Sequence, residues 1–114
     1  MRMWMISPKL MCRTHLMGEH FELHMFYGSI KQNKNLTGFY EKGLLNPHLI
    51  EQRHNEVAEE MLKRGYKHIS ELKIDENKIK DLPIVIIDAK ENAIELKNRC
   101  VDCRDRMERK ESRR

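Results

Sequence analysis

Residues 7–32 read SPKLMCRTHLMGEHFELHMFYGSIKQ. Ser7-Pro8 is a helix start, a capping serine followed by a proline at the first helical position, where a missing N–H costs nothing. Leu10, Leu16, Met17, Phe21, Leu23, Tyr27 and Ile30 then recur at roughly helical spacing, which predicts a long first helix over about 8–32, weakest at Gly18 and Gly28. Working outward, Gln32 to Gly43 is polar and loop-like, with Gly38-Phe39-Tyr40 offering two aromatics to pack on a helix. Asn46-Pro47 repeats the cap-plus-proline logic and opens a second helix over about 47–64, with Ile50, His54, Val57, Ala58, Met61 and Leu62 on one face and Gly65 beyond its end. Residues 66–88 read as a connection, and Ile84-Val85-Ile86-Ile87 as extended chain, because a lone strand has no partner. Asp88 with Glu91 three residues on resembles a capping box. It starts a third helix over about 89–110, whose Ala93, Leu96, Cys100, Cys103 and Met107 form a narrow apolar seam.

The fold class is therefore all-α: one domain of about three helices with long connections, spanning residues 1–114. Composition agrees. The chain has 114 residues, enough for one core and too few for two, and 39% apolar, 35% charged and 6% aromatic residues suit helices rather than a sandwich or barrel. No apolar run approaches the roughly 18–20 residues of a membrane span, and Ser7-Pro8-Lys9 replaces a signal-peptide apolar region. Three cysteines do not make a disulfide framework. These features lead us to expect a cytosolic protein with no membrane partner and no cofactor.

The net charge of +4 is concentrated at the two ends. Residues 1–35 carry Arg2, Lys9, Arg13, Lys31 and Lys34 against two acids, and residues 99–114 carry seven basic residues against four acids. Both ends are candidate phosphate-facing surfaces, or solvated charged faces. His15, Glu19 and Glu22 stand out in this basic segment. Steps of four and seven residues at about 100° each leave them within about 60° of one another, one polar stripe on the first helix. The stripe is either a solvated face or a carboxylate working on protons beside a phosphate surface.

Cys100-x2-Cys103 has zinc-ligand spacing, yet both thiols fall on the third helix's apolar seam, where cysteine is an ordinary small buried residue. Packing without metal is the favoured reading, and purified protein is expected to hold no stoichiometric zinc. The alternative completes a metal site with His20 and His24, which share a face of the first helix. His20-Phe21-Glu22-Leu23-His24 is not the metalloprotease pattern, which needs Glu directly after the first His.

The stretch His15-Leu16-Met17-Gly18-Glu19-His20-Phe21-Glu22-Leu23 resembles the first-helix signature of the phage endonuclease V family, the pyrimidine-dimer DNA glycosylase/AP lyases. A second match lies in Arg53-His54, Glu56 and Met61-Leu62-Lys63-Arg64-Gly65-Tyr66. The resemblance implies an all-helical DNA-repair fold, base flipping in double-stranded DNA carrying a damaged or modified base, and a backbone α-amine as nucleophile. Its register puts that amine on Met1, which bulky Arg2 would keep in place. It implies Met1 and Glu22 as catalytic residues, and Arg2, Arg13, Thr14, His15, Phe21, Arg53 and His54 as DNA contacts. Phe21 and Met25 stand where the family's dimer-specific enzyme carries arginines, so the substrate is less closely specified than the chemistry.

That chemistry has its own rationale. An α-amine has a reference pKa of about 7.7–8.0 against about 10.4 for lysine, so about 10% of such amines are neutral at pH 7, against about 0.04% of lysines. Attack on C1′ expels the base and leaves an imine, which eases β-elimination of the 3′ phosphate. Two other classes compete: a DNA-binding module without catalysis, which needs neither the amine nor Glu22, and a zinc-stabilised structural protein that depends on Cys100 and Cys103.

Overall fold

The computed structural model describes residues 1–67 and 70–112, with side chains through Arg109. Its described residues form helices and no strands: α1 (Arg13–Lys31), α2 (Thr37–Glu41), α3 (Ile50–Lys63), α4 (Glu76–Ile79), α5 (Ala89–Arg99) and α6 (Val101–Ser112), with 3-10 turns at Pro8–Leu10 and Pro47–Leu49. The all-α expectation holds.

The boundaries depart from expectation where side chains reach across the fold. Ser7 makes no side-chain cap, so Pro8 opens only a 3-10 turn. The chain runs extended through Met11 and Cys12, and α1 begins at Arg13 with the Cys12 thiol accepting from the His15 N–H. At the second helix Asn46 accepts from the His48 N–H, and one 3-10 turn precedes α3. Gly65, at φ +86°, reverses the chain where a side chain would be strained. The polar segment after α1 contains the short helix α2, whose Phe39 stands edge-on to Phe26 at 5.2 Å between ring centroids. Ile84 and Ile86 are exposed, on chain that is neither helix nor strand. Asp88 caps Glu91 as its spacing predicts. The predicted third helix, however, is two helices: Cys100 adopts extended angles (φ −128°, ψ 111°) and separates α5 from α6.

Helix α1 packs along α3, and α6 folds back on α5 to reach the first 3-10 turn. Two apolar clusters result. One holds Leu23, Phe26, Tyr27, Ile30, Leu45 and Ile50; the other holds Met11, Leu16, Val57, Met61, Leu96, Cys103 and Met107. The N-terminal arm joins them, because Met3 is buried in the first while Trp4 and Ile6 are buried in the second. Between these anchors Met5 turns through left-handed backbone (φ 56°), a conformation a non-glycine residue keeps only when its neighbours are fixed.

Candidate active site

The arm is tied down along its length. The Met3 N–H donates to the Leu44 carbonyl at 2.8 Å, and the Trp4 N–H to Glu19 Oε2 at 3.2 Å. Asn92 of α5 donates to the Trp4 carbonyl at 2.9 Å, and Arg53 Nη1 to the Ile6 carbonyl at 2.7 Å. Arg2 reaches Glu95 at 2.7 Å and Asn92 at 3.2 Å, with its guanidinium 4.3 Å from the centre of the Trp4 ring. So anchored, the arm brings the Met1 amine nitrogen to 4.0 Å from Glu22 Oε1 on α1.

The two groups share a cavity of about 440 Å³, lined also by Arg2, Trp4, Thr14, His15, Gly18, Leu44 and Arg99. Gly18 contributes open space, since nothing lies within 4 Å of where its side chain would begin. Arg2 and Arg99 both pair with Glu95, so two positive charges share one carboxylate at the rim. His15 stands edge-on to Trp4. Burial and the nearby Arg99 guanidinium hold its imidazole below the usual histidine range, against the opposing pull of Glu22.

The expected polar stripe is divided. Glu22 is partly exposed in the cavity, whereas Glu19, which also reaches the cavity wall, is buried and grips Arg53 through both oxygens, at 2.7 and 2.8 Å. Angular proximity on α1 could not reveal this, because the partner that buries Glu19 comes from α3.

Of the residues expected at the site, Met1, Arg2, Thr14, His15 and Glu22 come together. Arg13 instead places its guanidinium 5.1 Å from the centre of the Tyr66 ring. Phe21 stands outside the cavity, 64% exposed, in an apolar row on α1 with Met17 and Met25 one turn to either side. Arg53 and His54, expected to contact DNA, are buried: Arg53 is engaged by Glu19 and Ile6, and His54 Nε2 lies 2.8 Å from the Ser70 carbonyl. Neither presents a surface to phosphate. Sequence reading missed Arg99 as a cavity residue; it counted the charge in the basic end but could not place it. Arg113 and Arg114 of that end lie outside the described residues.

The three cysteines and four of the histidines sort into two clusters. Cys12, His15, Cys100 and Cys103 form one, and His20, His24 and His54 the other; within each, ligand atoms lie no more than 4.8 Å apart. Cys100 and Cys103 are thus joined by Cys12 and His15 rather than by His20 and His24. In the histidine cluster the Nε2 atoms of His20 and His24 are buried without a hydrogen-bond partner.

A family described as pyrimidine dimer DNA glycosylase matches residues 1–74. The chain belongs to this family. No curated protein and no solved structure matches it. The match contains the arm, α1 and α3, and so Met1, Glu22 and the Glu19–Arg53 pair. Membership implies DNA as substrate and glycosylase chemistry. Helices α5 and α6 lie beyond the match, yet α5 supplies Asn92, Glu95 and Arg99 to the arm and cavity. No helix among the described residues is long and apolar enough to cross a membrane.

Proposed function

We propose that the chain is a DNA glycosylase with AP lyase activity whose nucleophile is the α-amine of Met1. The observation that carries this reading is the amine held 4.0 Å from Glu22 inside a cavity rimmed by Arg2 and Arg99. The neutral amine attacks C1′ of an extruded nucleotide as the bond from C1′ to the base breaks. Glu22 stabilises the positive charge that develops on the sugar and relays the proton given up by the amine. Ring opening yields an imine, and loss of a C2′ proton expels the 3′ phosphate by β-elimination.

Binding follows from the rest of the surface. Arg99, Thr14 and the free edge of His15 are the phosphate contacts nearest the amine, while Arg2, committed to Glu95 and Asn92, chiefly fixes the arm. Arg13 extends the basic surface. Phe21, flanked by Met17 and Met25, is an apolar wedge of the kind that enters an unstacked base step in duplex DNA. A pyrimidine dimer is the family's default lesion. An apolar row in place of arginines suits stacking against a base better than added phosphate contacts, so another damaged or modified base is an equal candidate. The protein acts as a monomer in this scheme, in the cytoplasm of a prokaryotic or phage-infected cell.

Borohydride treatment of the protein with duplexes containing an abasic site, a pyrimidine dimer or other base lesions tests the reaction class. A covalent adduct on abasic DNA, and strand cleavage on one of the lesions, are expected. Tight binding with neither adduct nor cleavage would identify a DNA-binding module instead.

A further inference from the structure

The cluster of three thiols and an imidazole is assembled with more care than packing requires. Cys12 caps α1, His15 follows one turn later, Cys100 stands at the break between α5 and α6, and Cys103 lies in the first turn of α6. Two ligand pairs of identical spacing, Cys12-x2-His15 and Cys100-x2-Cys103, are therefore brought together from opposite ends of the chain.

Three of the six distances among their donor atoms are close to tetrahedral edges, and none of the six exceeds 4.8 Å. Metal–sulfur bonds of about 2.3 Å and a metal–nitrogen bond of about 2.0–2.1 Å require tetrahedron edges of about 3.8 Å between sulfurs and about 3.6 Å from sulfur to nitrogen. Cys12 Sγ lies 3.8 Å from Cys100 Sγ, and His15 Nδ1 lies 3.3 Å from Cys12 Sγ and 3.7 Å from Cys103 Sγ. Each sulfur also receives a backbone N–H: Cys103 N to Cys100 Sγ at 3.4 Å, Cys12 N to Cys103 Sγ at 3.2 Å, and His15 N to Cys12 Sγ at 3.4 Å. Such donors orient the sulfurs as ligands. An apolar seam needs none of these features, and a continuous helix would have served packing better than the interruption at Cys100.

We propose that Cys12, His15, Cys100 and Cys103 bind one zinc ion in a closed tetrahedral site that fastens the α5–α6 pair to the start of α1. Three sulfurs and one imidazole nitrogen match zinc in softness and number and leave no open position, so the site is structural. Binding releases the thiol protons and leaves the centre with one net negative charge. His15 is held through Nδ1, which leaves Nε2 as its remaining hydrogen-bonding atom beside the cavity. The proposal reverses the expectation that Cys100 and Cys103 merely pack. The histidine trio is the weaker candidate, because His54 Nε2 is already engaged by the Ser70 carbonyl and no fourth ligand joins it among the described residues.

The full chain, purified under reducing conditions and dialysed, should contain one zinc per molecule by elemental analysis. Cobalt exchanged into the site should give the strong visible bands of tetrahedral coordination and near-ultraviolet sulfur-to-cobalt charge transfer. Cys100→Ser should lose the metal on dialysis. Cys100→His, which replaces one ligand by another, should keep it with weaker charge transfer, so the site remains testable if the serine variant does not fold. Substoichiometric zinc after refolding with added zinc, a Cys12–Cys100 disulfide in the native protein, or metal that survives Cys100→Ser and leaves with His20→Gln would each overturn the proposal.

Discussion

Glu19 and Arg53 form a buried two-pronged ion pair, with Nε 2.7 Å from Oε2 and Nη2 2.8 Å from Oε1. It joins α1 to α3 within the family match and holds the arm from both sides, through the Trp4 N–H and the Ile6 carbonyl. The position of the N-terminal arm thus rests on a buried pair of charges.

Removing one member of such a pair strands the other charge in the interior. Glu19→Gln should cost about 3–5 kcal/mol of stability, read from denaturant unfolding, and should lower activity by releasing the arm. Replacing both, as Glu19→Gln with Arg53→Met, should recover part of the stability. Unfolding within about 0.5 kcal/mol of wild type would show the pair to be dispensable.

Glu22 should behave differently, because it is partly exposed and faces the amine. Glu22→Gln retains size and hydrogen bonding but loses the charge, so turnover should fall about 10²–10⁴-fold while DNA affinity holds or rises slightly. Single-turnover kinetics alongside binding titrations separate the two effects. Unchanged turnover would leave Glu22 as a merely solvated side chain.

The division of labour between these two glutamates was not legible in the sequence, where they share one angular sector of α1. Local signals were read well: Asn46-Pro47 before α3, Gly65 after it and Asp88 before α5 each act within a few residues. Errors fell where distant segments decide. Helix α1 starts late because Cys12 is drawn into contact with α6, and the third helix breaks at Cys100 for the same reason. Arg53 and His54 are expected to contact DNA only through the motif they belong to, and that motif does not tell that Glu19 of α1 engages Arg53 and the Ser70 carbonyl engages His54. Periodicity reports which residues face inward; it does not report which buried charges will find one another.

Phe21 should contribute to DNA binding and not to folding. Its exposure means that Phe21→Ala changes stability by no more than about 0.5 kcal/mol, while loss of stacking weakens duplex binding by about 1–3 kcal/mol. Fluorescence anisotropy with a lesion-bearing duplex provides the comparison. Equal affinities would remove the wedge from the binding scheme.

His20 gives stability a pH dependence. Burial and the neighbouring His54 and His24 push its imidazole down to about 4, so the neutral ring is favoured in the folded state. Its contribution is present above the unfolded value of about 6.5 and is lost as pH falls towards 4. Between pH 7 and 5, wild type should lose on the order of 1 kcal/mol more than His20→Gln, a figure reduced for the ring's partial exposure. Parallel pH profiles for the two proteins would show that His20 does not titrate in this way.

The most direct test concerns the Met1 amine. Wild-type protein trapped with borohydride on abasic DNA should yield a covalent adduct whose digest places the nucleotide remnant on the peptide beginning at Met1, and selective acetylation of the α-amine should abolish trapping while leaving the fold intact. An adduct on a lysine, or full trapping by the acetylated protein, would contradict this assignment of the nucleophile.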